Sequence, residues 1–368
     1  MSANNGFGTA QTRMRRQQKK KSPTRFAIVF VLLSLAVFLS TAYFYKLFPF
    51  NLLFAETDDP NVLDPDRLPA GDEHGTEPPD GLVQAGGLAP MEKALQARGL
   101  YVTMDMFGSP SLFANLVTFA RNNDGINSFV VDVKDNNGRV PFKPEEGTGI
   151  QSKAGNYSHF SALVNVLQQE DYYMIARIVA FQDPYMAELK PDQAIRNSNG
   201  SLWKDNDGRL WLNPCDKRNW EFVRDVSLWA CEMGFHEIQL DYVRFPDSAI
   251  GLEKTGVLMP GREEYESRGD AIQAFLEYMA QELEGKAYLA ADVFGFVTIA
   301  QDDMGIGQRL EQLADSVDFY CPMIYPSHYY NAGIYGFDVP EAHPYEVVYK
   351  AIGEALERTE GLKGKVRP

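Results

Sequence analysis

EIQLDYVRF, residues 237–245, reads as a β-strand that carries Asp241 and Arg244 at its C-terminal end. Five further short runs, apolar, β-branched or aromatic, have the same form: GLYVTMDMF (99–107), FVVDVKD (129–135), MIARIVAF (174–181), LAADVFGF (289–296) and VDFYCPMIY (317–325). Between them lie segments of helical period. In 220–233, Phe222, Val223, Val226, Trp229, Ala230 and Met233 recur three and four apart, and in 266–284 so do Ile272, Phe275, Leu276, Met279 and Leu283. Such spacings mark one buried helical face. Strand and helix in alternation predict an α/β fold with a parallel sheet, either a closed (β/α)8 barrel (a TIM barrel) or an open doubly wound sheet.

Two features favour the barrel. GSPSLF (108–113), after the first strand, lacks the G-x-G-x-x-G spacing of a dinucleotide-binding turn. Polar groups also recur at strand C-termini: Asp105; Asp132 with Lys134 and Asp135; Gln182 with Asp183; Asp241 with Arg244; Asp292; Tyr325 with His328. That is where the βα loops of a barrel open and its active site forms. Six strands are legible, followed by a helix at 345–356, and GKVRP (364–368) reads as the opening of a seventh. An unclosed barrel leaves bare edges. The expectation is therefore an incomplete barrel whose remaining strands are missing, and a fragment that is inactive or aggregation-prone without them.

Outward from this domain, 98–368, the chain changes character. Residues 46–97 are rich in Pro and acidic side chains, with little hydrophobic periodicity, and read as a linker or stalk. Residues 26–45 (FAIVFVLLSLAVFLSTAYFY) carry no charge, and about 30 Å of helix spans a hydrocarbon core. Residues 1–25 hold Arg13, Arg15, Arg16, Lys19, Lys20, Lys21 and Arg25 and no acid. A cleaved signal peptide or a core helix is the alternative, but the run is long for a signal and no A-x-A-like site follows. The expectation is a single transmembrane helix through the lipid bilayer of the cell membrane, with the N-terminus cytoplasmic and the domain outside. The net charge of −15, despite the basic tail, disfavours nucleic acid as a partner. Cys215, Cys231 and Cys321 form no CxxC; a Cys215–Cys231 bond is conceivable, but three buried small hydrophobes are the simpler reading. No His, Asp and Glu cluster has ligand spacing, so neither a metal nor another cofactor is expected.

Asp241 and Asp292 end neighbouring strands and can face each other across the mouth. Glycoside hydrolysis uses such a carboxylate pair, one as acid and the other as nucleophile or base. The bland alternative is that either one pairs with Arg177 or Arg244, or caps a helix. Spacing alone supports only a carboxylate-lined pocket. Residues 98–368 resemble a bacterial, largely uncharacterised family of glycoside-hydrolase-like TIM-barrel domains. The resemblance rests on RGLYVT (98–103), FVVDVKDNNGRV (129–140), ARIVAFQDP (176–184), QLDYVRFP (239–246), ADVFG (291–295), DDMGIGQRLEQLA (302–314), CPMIYPSHY (321–329) and HPYEVVYKAI (343–352). It implies glycosidic bond cleavage. Related α-amylase-type and α-galactosidase-type barrels place a nucleophilic Asp on strand four, the position of Asp241, and the acid/base on strand five or six; Asp292 matches strand five. A residue on missing strands could share the site.

Substrate-binding candidates surround the pair: Asp105, Asp132, Asp135, Arg177, Arg244, Tyr325 and His328. Asp132 and Asp135 would bond sugar hydroxyls or help form the DNNGR turn. Arg244 would orient Asp241 and depress its pKa. Trp203 and Trp211 flank a DNDG turn in the long connection 182–219, predicting a hairpin arm whose aromatic faces stack on pyranose rings or pack onto the barrel. Asp302 and Asp303 are expected to sit at a helix N-terminus. The sequence thus points to a glycosidase acting on an extracellular or cell-envelope polysaccharide. A non-catalytic glycan-binding barrel and a metal-dependent deacetylase are the other readings.

Overall fold

The computed structural model describes residues 88–141, 157–247, 256–329 and 334–368. The basic tail, the apolar stretch 26–45 and the linker as far as residue 87 lie outside the described residues. Among the described residues no helix is long and apolar enough to cross a membrane.

Seven strands form one sheet in sequence order: β1 (Gly99–Val102), β2 (Ser128–Lys134), β3 (Tyr173–Val179), β4 (Glu237–Asp241), β5 (Tyr288–Phe294), β6 (Phe319–Met323) and β7 (Lys365–Val366). Every neighbouring pair is parallel. Helices supply the crossovers: α2 (Pro110–Arg121), α3 (Tyr157–Gln169), α5 (Lys217–Glu232), α6 (Arg268–Glu282), α7 (Leu310–Ser316) and α8 (Pro344–Arg358). Two short helices, α1 (Met91–Leu95) and α4 (Pro184–Leu189), precede β1 and follow β3. GKVRP does open a seventh strand, β7, paired with β6.

The pleat separates the strand residues into two cores, because successive side chains point to opposite faces. Phe129, Val131, Met174, Ala176, Ile178, Ile238, Leu240, Leu289, Ala291, Val293 and Tyr320 pack outward against the helices. The alternate set, Tyr173, Ile175, Tyr288, Ala290, Phe319 and Cys321, forms a smaller inner cluster with Ala89 and Ala94. These inner residues come from β3, β5 and β6, and β3 is separated from the other two by β4, so the sheet curls around them. Arg367, just past β7, reaches the Glu237 carboxylate at the start of β4. In a flat sheet three strand spacings would hold those backbones about 14 Å apart. Tyr173 Oη donates to the same carboxylate at 2.9 Å, and Tyr288 Oη donates to the Ala89 carbonyl at 2.7 Å. The segment leading into α1 therefore covers the N-terminal end of the inner cluster.

Several sequence expectations are corrected. The first strand stops at Val102, where its pairing with β2 ends at Val131, and Met104–Gly108 is a 3-10 turn. Against β3, β2 shifts register between Asp132 and Lys134 in a bulge. That bulge turns Lys134 out of the mouth and into the helix layer. There its Nζ is fully buried, 2.8 Å from Asp183 Oδ2, 2.7 Å from the Val179 carbonyl and over the Phe222 ring. Asp302 and Asp303 do not head a helix. Their carboxylates accept from the Met304 and Gly305 amides in a turn, and α7 begins only at Leu310. All three cysteines are free, Cys215 and Cys321 buried and Cys231 partly so.

Candidate active site

The inward residues at the N-terminal end of the curled sheet are mostly apolar, and those at its C-terminal end are polar. On β4, Glu237, Gln239 and Asp241 share the inner face; on β5, Tyr288, Ala290 and Asp292 do. Leu240 pairs with Ala291, so the next residues in register are Asp241 and Asp292. The two carboxylates predicted from sequence are thus brought onto one face of adjacent strands, both buried.

Their surroundings differ. Asp241 Oδ2 accepts from Arg177 Nη2 at 2.5 Å and Oδ1 from the Tyr242 amide at 2.6 Å. Tyr242 takes φ +50°, a left-handed conformation that costs an L residue about 1–2 kcal/mol. Such strain is retained where the surroundings over-determine it, often beside a functional group. Asp292 Oδ1 accepts from Gln239 Nε2 at 2.5 Å. Burial pushes the Asp292 carboxyl well above its usual range, and the neighbouring Asp241 charge pushes it further. Gln308 fixes the backbone behind this carboxyl. Its Oε1 accepts from the Phe294 amide at 3.0 Å, and its Nε2 donates to the Asp292 carbonyl at 3.2 Å.

Arg177 joins two strand ends. Its Nη1 donates to Asp132 Oδ1 at 2.7 Å while Nη2 holds Asp241. Asp132 also accepts from Tyr101 Oη, 2.8 Å from both carboxyl oxygens. Burial raises the Asp132 carboxyl above its usual range despite the opposing Arg177 charge. Tyr101 and Gln239 are site residues that the sequence reading missed. Gln239 lies two residues before Asp241, so strand alternation could have found it, whereas Tyr101 lies four residues before Asp105, the nearest candidate. Gln308 lies in a loop far along the chain, and nothing local marks it.

Arg244 does not orient Asp241; that role falls to Arg177. The Arg244 guanidinium instead lies 4.4 Å from the Phe294 ring centroid, 4.9 Å from that of Trp211 and 5.2 Å from that of Tyr242. Nη1 donates to the Phe245 carbonyl at 3.0 Å. Burial pushes this guanidinium below its usual value.

Trp203 and Trp211 are not open platforms. Trp211 is 1% exposed, its Nε1 donating to Asp205 Oδ2 at 2.8 Å, and Trp203 is 8% exposed. Both are held by antiparallel bridges, Arg196 with Leu202 and Lys204 with Leu210, that make the arm two tight turns packed onto the domain. Asp135 is committed to the DNNGR turn, accepting from the Asn137 and Arg139 amides and from Arg139 Nε. Burial opposes its charge, but those bonds win and hold the carboxyl below its usual range. Asp105 is exposed on the rim, 2.9 Å from Arg139 Nη1. Tyr325 and His328 are exposed just past β6, their rings 5.0 Å apart.

Residues 99–368 match the model of a family described as "Putative glycosyl hydrolase domain". No curated protein matches the chain. Among solved structures, a hypothetical protein from Ruminiclostridium thermocellum ATCC 27405 is 29% identical, with 56% of this chain and 98% of that one covered, at a TM-score of 0.46. An α-galactosidase from Thermus thermophilus in complex with p-nitrophenyl α-D-galactopyranoside is 14% identical, covering 73% and 50%, at 0.41. The Bacillus cereus spore cortex-lytic enzyme SleL is 11% identical, covering 73% and 49%, also at 0.41. The chain spans about half the length of the last two. With nearly three quarters of its length matched, the chain belongs to the family described as "Putative glycosyl hydrolase domain", and its enzyme class is that of the glycosidases.

Proposed function

We propose that the protein cleaves glycosidic bonds with Asp292 as general acid and Asp241 as nucleophile or general base. The observation that carries this reading is the asymmetry of the pair. Asp292 is a buried carboxyl pushed well above its usual range, and Asp241, next in register, is ion-paired with Arg177. A carboxyl raised by burial, beside one held by an arginine, is the arrangement that divides acid and base roles between two carboxyls. Asp292 would donate its proton to the leaving oxygen as the bond to the anomeric carbon lengthens. Asp241 would then face the positive charge developing on the sugar, attacking the anomeric carbon itself or taking a proton from the attacking water. Arg177, bonded also to Asp132, keeps Asp241 in place.

The rest of the reading is that the curled sheet is part of an eightfold barrel and that the substrate is an extracellular or cell-envelope polysaccharide. Residues 26–45 would anchor the domain to the outer side of the membrane, a topology that the flanking basic residues favour. Protection of the N-terminus, but not of the domain, from protease added to intact cells tests that topology.

The catalytic reading is tested by release of reducing ends from glycans. Asp292→Asn should lower kcat by about 10²- to 10⁴-fold, the usual worth of a positioned general acid. Asp241→Asn should cost at least as much, while glycan binding persists in both. Turnover undiminished in either variant would remove that residue from the mechanism. Binding without turnover in the parent chain would favour a glycan-binding role.

A further inference from the structure

A second arginine, Arg244, lies beside the carboxyl pair. Arg177 is divided between Asp132 and Asp241, one cation against two carboxyls. Arg244 is 6% exposed, and the carboxylates of Asp247, Asp241 and Asp205 act on it through space. Of its nitrogens, Nη1 finds the Phe245 carbonyl; among the described residues Nε and Nη2 have no acceptor. Those two donors form one edge of the guanidinium, and an edge of that shape matches a carboxylate through two parallel hydrogen bonds.

The position is equally specific. Phe294, whose ring lies nearest Arg244, is two residues beyond Asp292 and on the same face of β5, about 7 Å further toward the mouth. Tyr242, the second ring, directly follows Asp241. Trp211 and Tyr242 pack together with centroids 5.7 Å apart, so the rings brace one another around the cation. A guanidinium stripped of water by three rings has lost much of its hydration, and an incoming anion restores what burial removed.

We propose that Arg244 is a specificity-determining residue that selects glycans bearing a carboxylate, a uronic acid unit, within one or two sugars of the bond to be cut. The proposal rests on the glycosidase reading for what happens to the bond, but the selectivity is a matter of binding. It is therefore tested on binding first.

The test measures the affinity of the full chain for D-glucuronate and D-galacturonate against D-glucose and D-galactose by titration calorimetry. Asp292→Asn, Arg244→Gln and Arg244→Lys are measured alongside, with circular dichroism to confirm that each is folded. The parent and Asp292→Asn should prefer an acidic sugar by about 10- to 100-fold, the worth of a charge-assisted pair of hydrogen bonds. That preference should weaken with added salt. Arg244→Gln should abolish it, bringing acidic and neutral sugars to equal affinity, and Arg244→Lys should keep only part of it. Equal affinity for acidic and neutral sugars in the parent overturns the proposal, as does a preference that survives Arg244→Gln. Inorganic phosphate or sulfate binding as tightly as the uronates would replace the uronate with a phosphorylated or sulfated sugar, and so overturn the carboxylate assignment. Hydrolysis of neutral glycans with no acidic preference would leave the glycosidase reading standing alone, and an acidic preference with no hydrolysis of any glycan would do the reverse.

Discussion

Asp292 owes its chemistry to where β5 puts it: buried, beside a second carboxylate, with one amide donor from Gln239. The same placement makes it a liability for stability. Its folded pKa lies above the unfolded value of about 3.9, so the native chain binds the extra proton between those two limits. Stability from this group is fully present below the unfolded value and is lost as pH rises toward the folded one. Asp292→Asn has no charge to acquire and keeps an oxygen for Gln239. Its melting temperature should therefore pull ahead of the parent's as pH is raised from 4 to 8, by about 2–4 °C, the shift that 1 kcal/mol gives a domain of this size. Thermal melts at intervals across that range check it, and a constant gap would place the cost of Asp292 elsewhere. At this scale Asp132, Asp241 and Asp292 were legible because they lie toward the C-terminal ends of strands, and Arg177 as a cation within the neighbouring strand β3. The partners of Arg244 were not, since Trp211 and Phe294 reach it from distant parts of the chain.

Among elements, the strand–helix alternation was read correctly but the strands were read too long. β1 and β4 both stop earlier than their apolar runs suggest. Hydrophobic pattern does not show where pairing ends, because a bulge or a strained residue such as Tyr242 ends it without a change in composition. The DNNGR turn after β2 shows how tightly the loops are held. Gly138 takes φ +73°, and a Cβ there would sit 2.2 Å from Asp183 Oδ1, in the ion pair with buried Lys134. Gly200, at φ +85°, has open space around it. Gly200→Ala should cost only the left-handed penalty of about 1–2 kcal/mol, and Gly138→Ala distinctly more. Urea unfolding of the two variants side by side measures the difference; equal costs would mean that the turn relaxes freely.

For the whole molecule, curvature places the inner ends of β3, β4, β6 and β7 around one ion pair. Glu237 is fully buried, and its carboxyl is pushed up by burial against the pull of Arg367. Arg367→Met removes the partner and strands that carboxyl, which should cost about 3–5 kcal/mol in urea unfolding. Adding Glu237→Gln to it should recover part of the loss, because a neutral amide costs less to bury than an unpaired charge. A single variant as stable as the parent would mean that the sheet is not held closed by this contact.

Local order in the chain was enough for the parallel, sequentially ordered sheet and for the ends of the strands where acids gather, since both follow from a period of two or three to four residues. It was also enough to nominate Asp241 and Asp292. Which arginine serves Asp241, whether Trp211 faces sugar or protein, and that Gln308 holds the backbone behind Asp292 were settled only when the sheet curled. Those contacts join residues far apart in sequence, and no repeat along a chain encodes the distance between two strands that meet by bending.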